Sequence, residues 1–285
     1  MQQFSSIVVA GGAVKVVSTI GCLKYLEENN MISSIKNFVG TSAGAIMCLF
    51  MILGYKSSEI IDFLKEVMKD KTVSTFDMSK IFDIISEYGI SDGSNLCEML
   101  QRVLYKKIKQ RDISFIDLAK KVGKHLVICV SNLTDEREEF FSVDTCPETS
   151  IITAIKASCA IPFIFTPVKI HDRLYIDGGM YNNFAIDYFK DHRLKDILGL
   201  NIRQKNYQNT SDIISYSLFL ISSLINRVNK KNYDDVDRNI VTIDIEDNDC
   251  FSINTLTVHI TDDIFDSYMT LGYELIKAKL ESTTN

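Results

Sequence analysis

Twice within the first 53 residues a short β-branched run stops at a glycine turn and gives way to an apolar pattern of helical spacing. Residues 7–10 lead into Gly11-Gly12, after which Val16, Val17, Ile20, Leu23 and Leu26 recur at three- and four-residue steps until the polar run 27–30. Residues 35–39 then lead into Gly40-Thr41-Ser42-Ala43-Gly44 and an apolar helix over 45–53. Strand, helix, strand, tight turn, helix is the pattern of a parallel sheet with crossover helices, so an α/β fold is expected.

The rest of the chain extends that pattern. Ser57 or Ser58 is positioned to cap a helix through Lys69, and Ser94 another over 95–105, so the stretch to Val122 reads as mostly helical. Residues 125–131 read as a third strand, paired with 139–143 across a polar turn. Residues 150–158 read as a helix, and 161–168 as an extended passage fixed by Pro162 and Pro167. Residues 174–176 form a strand ending in Asp177-Gly178-Gly179. Residues 197–202 and 240–245 are further strands, and 262–280 a closing amphipathic helix. No linker or repeat interrupts this series, so residues 1–285 are read as one domain.

Composition narrows the function. With 31 Lys and Arg against 37 Asp and Glu, the net charge is −6, and no basic stripe is present to bind phosphate backbones. A nucleic-acid partner is therefore not expected. The N-terminus lacks the basic start and long apolar run of a secretory signal. The most apolar segment, 43–55, is 13 residues long and falls short of the ~20 that span a bilayer. Seven scattered cysteines without zinc-ligand spacing read as reduced core residues, so the expected location is cytoplasmic.

Gly40-x-Ser42-x-Gly44 fits GxSxG. That spacing suits a nucleophilic serine on a sharp strand-to-helix turn, where flanking glycines remove side chains that would collide. A helix beginning at Ala43 aims its first amides at developing negative charge, and the Ala43 N–H is a ready oxyanion donor. Glycines and serines also meet in ordinary turns, but the preceding strand and following apolar helix favour the catalytic reading. Gly11-Gly12 offers a second set of close-approaching amides, and neither a GxGxxG nor a P-loop pattern supports a nucleotide site. Lys15 suits either the mouth of such a site or, the reading favoured here, a solvated first helical turn.

A base is also needed. His125, His171, His192 and His259 have no distinctive setting, and each reads as structural. Asp177 follows an apolar strand, at the end where α/β sheets place their sites, and burial would raise its pKa toward that of a useful base. The same Asp-Gly pair also suits a plain turn, with Asp bonding its own backbone and Gly at positive φ.

Taken together, Gly11-Gly12-Ala13-Val14-Lys15, Gly40-Thr41-Ser42-Ala43-Gly44 and Asp177-Gly178-Gly179 resemble the motifs of the patatin-like phospholipases. The bridging stretches Ala157-Ser158-Cys159-Ala160-Ile161-Pro162 and Tyr175-Ile176-Asp177-Gly178-Gly179-Met180-Tyr181-Asn182-Asn183 strengthen the likeness, which covers about residues 5–200, with a weaker echo at Gly272-Tyr273. The resemblance implies a three-layer α/β/α fold with a mostly parallel central sheet. It implies a Ser-Asp dyad, with Ser42 as nucleophile and Asp177 as base. The oxyanion hole carries over to Gly11, Gly12 and, by position, Ala13, beside Ala43. Lys15, Gly40, Gly44, Gly178 and Gly179 support these motifs. The implied reaction is hydrolysis of phospholipid or other acyl-ester lipids through an acyl-enzyme, without metal or cofactor, with peripheral contact to a membrane surface.

Two departures stand out. Ala13 and Val16 occupy positions where the family usually has glycine, and positive φ at Ala13 would cost about 1 kcal/mol. Two other readings therefore stay open. One is a Ser-Asp-His triad using His192 or His259. The other is a catalytically weak lipid-binding or interaction protein on the same fold. The apolar stretch 213–225, followed by Arg227, Lys230 and Lys231, suits a core helix with a solvated basic end, the reading favoured here, or a lid.

Overall fold

The strands, in chain order, are β1 (Ser6–Val9), β2 (Asn37–Thr41), β3 (Gly89–Ser91), β4 (His125–Asn132), β5 (Arg137–Phe141), β6 (Phe163–Phe165), β7 (Val168–Ile170), β8 (Arg173–Ile176), β9 (Ile197–Lys205) and β10 (Ile240–Glu246). The helices are α1 (Val17–Glu28), α2 (Ala43–Ile52), α3 (Ser57–Lys69), α4 (Ser94–Ile108), α5 (Phe115–Val122), α6 (Ile151–Ser158), α7 (Gly179–Asn182), α8 (Ile213–Lys230) and α9 (Asp262–Ser282). These elements come from a computed structural model that describes residues 3–69, 88–189, 196–205, 213–230, 240–246 and 262–282.

One sheet gathers strands from Ser6 to Glu246 in the order β10-β9-β1-β2-β4-β8-β7, with β5 on the other edge of β4. The five strands from β10 to β4 are mutually parallel, and β5, β7 and β8 join antiparallel. Every position of β1 is buried, as expected of a central strand covered on both faces. Alternation divides the core accordingly. Ile7, Val9, Phe38, Leu126, Ile128, Leu198 and Leu200 belong to the larger cluster, shared with α1 and α2. Val8, Val39, Val127 and Cys129 belong to a smaller one, closed by Phe184, Ile186 and Phe189.

Register explains how two distant segments meet. The outer edge of β4 pairs with β5 over Ile128–Asn132, so β2 and β8 must share the other edge. On it β2 ends with Thr41 opposite Cys129, while β8, running the other way, ends with Ile176 opposite Ser131. Both strands stop one residue short of the level of Val130. Ser42 and Asp177, the next residue of each, therefore converge head-on in one lane of the sheet.

The sequence-based boundaries mostly hold, and the differences have local causes. β3 interrupts the stretch read as mostly helical and pairs with β6 through Gly89 and Phe163; three residues are too few to register a period. Ser57 is the first residue of α3, not its cap. Its N–H and hydroxyl both donate to Glu27, at 2.8 and 2.6 Å, and Glu59 reaches back to the Lys56 N–H at 2.9 Å. Ser94 likewise opens α4, its N–H held by Asp92 at 2.9 Å. Ser150 does cap α6, accepting from the Thr153 N–H at 3.1 Å.

Candidate active site

Ser42 sits between β2 and α2 with φ 53° and ψ −128°, a backbone conformation that side-chain-bearing residues seldom adopt. The turn closes because of its glycines. A Cβ on Gly40 would lie 2.6 Å from the Ala45 backbone, and one on Gly44 would overlap the Val9 and Ala10 carbonyl oxygens. The strain presents the hydroxyl at the carboxyl end of the sheet.

There the Ser42 hydroxyl donates to Asp177 Oδ2 at 2.6 Å, and the Gly179 N–H donates to Asp177 Oδ1 at 2.8 Å. Asp177 therefore bonds its own backbone and the serine at once. The plain-turn alternative is half present, but Gly178 has φ −58° and supplies no positive φ. A Cβ at Gly178 would overlap the Cys129 carbonyl oxygen, so close packing is what excludes a side chain there. Both dyad residues are buried, Ser42 at 7% and Asp177 at 4% exposure. Burial pushes the Asp177 carboxyl up to about 6, an effect partly opposed by the hydrogen bonds from Ser42 and Gly179.

Gly11, Gly12, Ala13, Lys15, Ser42 and Asp177 line one cavity of about 90 Å³, so the two oxygens face open space. Gly40, Gly44, Gly178 and Gly179 stand outside its lining and shape the turns behind it, and Ala43, also outside the lining, carries the first amide of α2 directly after Ser42. The first loop is held by Asn183, whose Nδ2 donates to the Gly11 carbonyl at 3.0 Å while its own carbonyl accepts the Gly11 N–H at 3.1 Å. The Gly11 N–H is thus committed. Of the amides nominated as oxyanion donors, this corrects Gly11 and leaves Gly12, Ala13 and Ala43. Ala13 does carry positive φ, 46°, and with it the strain of a methyl group in that region.

Lys15 corrects the solvated reading. It is only 2% exposed and lines the cavity, because Ala13–Val16 forms a 3-10 turn in which Lys15 stacks above Gly12, its N–H given to the Gly12 carbonyl at 2.9 Å. Stretch 213–225 corrects the core-helix preference in part. α8 turns Ile221, Ser222, Ile225 and Asn226 toward the cavity, while Tyr216, Leu220 and Leu224 are exposed. Asn183, and Ser222 and Asn226 of the α8 lining, are not singled out from sequence, whereas Ile221 and Ile225 fall in the stretch for which a lid is the second reading. The polar Asn182-Asn183 pair closing the stretch Tyr175–Asn183 is the available signal for Asn183, and polar residues interleaved with the apolar ones of stretch 213–226 the signal for Ser222 and Asn226.

Among the described residues no histidine lines the cavity. His125 and His171 are exposed, and His192 and His259 lie outside the described residues. Lys231 and Cys250 also lie outside them. The six described cysteines are unpaired. Among the described residues no helix is long and apolar enough to cross a membrane, and no group of three or more His, Cys, Asp or Glu is placed to hold a metal.

Comparison with known proteins finds relatives of the chain by sequence and by fold. The chain is 33% identical over 196 residues to "Probable lipid hydrolase 463L" of Invertebrate iridescent virus 6, an alignment covering 68% of this chain and 66% of that one. It is 27% identical over 233 residues to the uncharacterized protein YqhO of Bacillus subtilis, covering 76% and 77%. The chain thus spans about two thirds to three quarters of the length of these relatives. Among solved structures, VipD from Legionella pneumophila superposes with a TM-score of 0.63 at 17% identity, over 98% of this chain and 67% of that one, a likeness of fold. The family model described as patatin-like phospholipase matches residues 7–190, which span the glycine loop, the serine turn and the aspartate turn, and the chain belongs to the patatin-like phospholipase family.

Proposed function

We propose that this protein is a serine lipid acyl hydrolase in which Ser42 and Asp177 act as a catalytic dyad. The observation that carries the reading is the 2.6 Å hydrogen bond from the Ser42 hydroxyl to a buried carboxylate whose other oxygen is fixed by the Gly179 amide. Family membership and the likeness to a protein named as a lipid hydrolase support the substrate class. So does the apolar lining that Ile161, Met180, Ile202, Ile221 and Ile225 give the cavity, which suits an acyl chain. The unpaired described cysteines support a reducing cellular interior as its compartment.

In this reading the Ser42 oxygen attacks the ester carbonyl as its proton passes to Asp177. The carbonyl oxygen becomes an oxyanion facing the Gly12, Ala13 and Ala43 amides and the positive end of α2. Collapse expels the alcohol, which takes the proton back from Asp177 and leaves an acyl-Ser42 ester. Water, deprotonated by Asp177, then attacks that ester; the Ser42 oxygen leaves, takes the proton back from Asp177, and the fatty acid is released.

The test is covalent. A fluorophosphonate probe should modify Ser42 by forming a P–O bond with loss of fluoride, read by peptide mass spectrometry, and an unlabelled Ser42 would count for the catalytically weak alternative. The strained Ala13 is the observation that favours that alternative. A second expectation concerns pH. Asp177 must be ionised to accept a proton, so kcat/KM on a short acyl ester should climb with pH, reach half its plateau at about 6 and then level. An acid limb at the ordinary carboxylate pKa of about 4 would remove Asp177 as the base.

A further inference from the structure

The end of α6 touches both halves of the dyad. Its last residue, Ser158, is fully buried. The Ser158 hydroxyl accepts the Ser42 N–H at 2.8 Å and donates to the Cys129 carbonyl of β4 at 2.6 Å. Its backbone carbonyl accepts the Gly178 N–H at 3.1 Å, and the Ala160 carbonyl just beyond accepts the Asp177 N–H at 2.9 Å. Carbonyls at a helix C-terminus have no donor within the helix, and here the aspartate turn supplies one to Ser158 through the Gly178 N–H. The Ser42 amide has the complementary need. It lies at the strained turn, buried, and its partner is a side chain from another element.

We propose that Ser158 is a positioning residue, a single side chain and backbone unit that sets the distance between the Ser42 hydroxyl and the Asp177 carboxylate. The inference rests on the dyad reading. Without the Ser158 hydroxyl, the Ser42 N–H and the Cys129 carbonyl both lose a buried partner, and the strained turn relaxes toward ordinary backbone angles. The Ser42 oxygen then moves off Asp177, while the cavity lining that holds the acyl chain is untouched, since Ser158 is not part of it.

The test compares Ser158→Ala and Ser158→Thr with the parent, using a short acyl ester across pH. Ser158→Ala should lower kcat about 10- to 100-fold, as misplacement of a reacting group by about 1 Å does, with KM changed less than about twofold. Its acid limb should move to higher pH, because the hydrogen bond from Ser42 holds the Asp177 pKa down. The other titratable groups at Asp177 stay constant in that range. Burial raises the Cys129 and Cys159 thiols far above it, and Lys15 shares the cavity in parent and variant alike. Ser158→Thr, which keeps the hydroxyl, should recover most of kcat and the parental acid limb. Should Ser158→Ala fail to fold, Ser158→Cys keeps the volume with a weak acceptor and should show the same kcat loss. Parental kcat and acid limb in the Ala or Cys variant, no recovery with Thr, or failure of both Ala and Cys to fold would each overturn the proposal. Ser42→Ala and Asp177→Asn run alongside. If they keep turnover the dyad itself is wrong, and if they abolish it while the Ser158 variants are parental, only the positioning role is.

Discussion

Ser42→Ala and Asp177→Asn are each expected to lower kcat on a short acyl ester by about four to six orders of magnitude, and the double variant no further, because members of one catalytic unit are not additive. Alanine removes the attacking oxygen. Asparagine keeps the shape of the carboxylate but cannot take the proton. Stability separates this loss from damage to the fold. The raised Asp177 pKa means that the folded state binds this proton more tightly than the unfolded chain does. The stabilisation from that proton is complete below the ordinary carboxylate pKa and is lost as pH rises through about 6, leaving a buried charge at neutral pH. Asp177→Asn carries no such charge. It should therefore melt above the parent at about pH 8, with the difference shrinking toward about pH 4, as circular dichroism would show. A variant that is inactive and also less stable at about pH 8 would contradict the account.

Gly272→Ala and Gly21→Ala should each destabilise the protein by about 2 kcal/mol, for a reason unconnected with chemistry. α1 and α9 cross at reciprocal glycines. A Cβ on Gly21 would overlap the Met269 carbonyl oxygen, and one on Gly272 the Ser18 carbonyl oxygen. The close approach also lets the Cys22 thiol donate to the Gly272 carbonyl at 3.2 Å and brings Tyr25 and Tyr273 edge to face at 5.5 Å. Overpacking costs about 1–3 kcal/mol, and both obstacles are backbone, which yields less than a side chain, so the upper end applies. The helix preference of Ala over Gly offsets about 1 kcal/mol of it. Thr270→Ala, a change at an exposed position of α9, is the control and should stay within about 0.5 kcal/mol. Urea unfolding of the three variants checks this, and a Gly272→Ala midpoint equal to that of Thr270→Ala would show that the helices can separate freely.

The echo at Gly272-Tyr273 marked that crossing in the sequence without showing its purpose. A glycine in a helix reads the same whether it is a weak point or a contact, and only the partner helix decides. Lys15 illustrates the same gap. A lysine in a first helical turn is ordinarily solvated, and here a 3-10 turn carries it inward to line the cavity. The Gly11 amide looked available because its partner, Asn183, is 172 residues away.

What local pattern could establish was the series of strands and helices, the strained serine turn between two glycines, and the two acidic and nucleophilic side chains worth pairing. Each of those is written in neighbouring residues, through period, turn chemistry and motif spacing. The meeting of Ser42 with Asp177, the tie from the Ser42 amide to Ser158 and the tie from Asn183 to Gly11 depend on groups 116 to 172 positions apart. Those distances in space follow from β2 and β8 sharing one edge of β4, and strand register is a property of the assembled sheet that no single segment encodes.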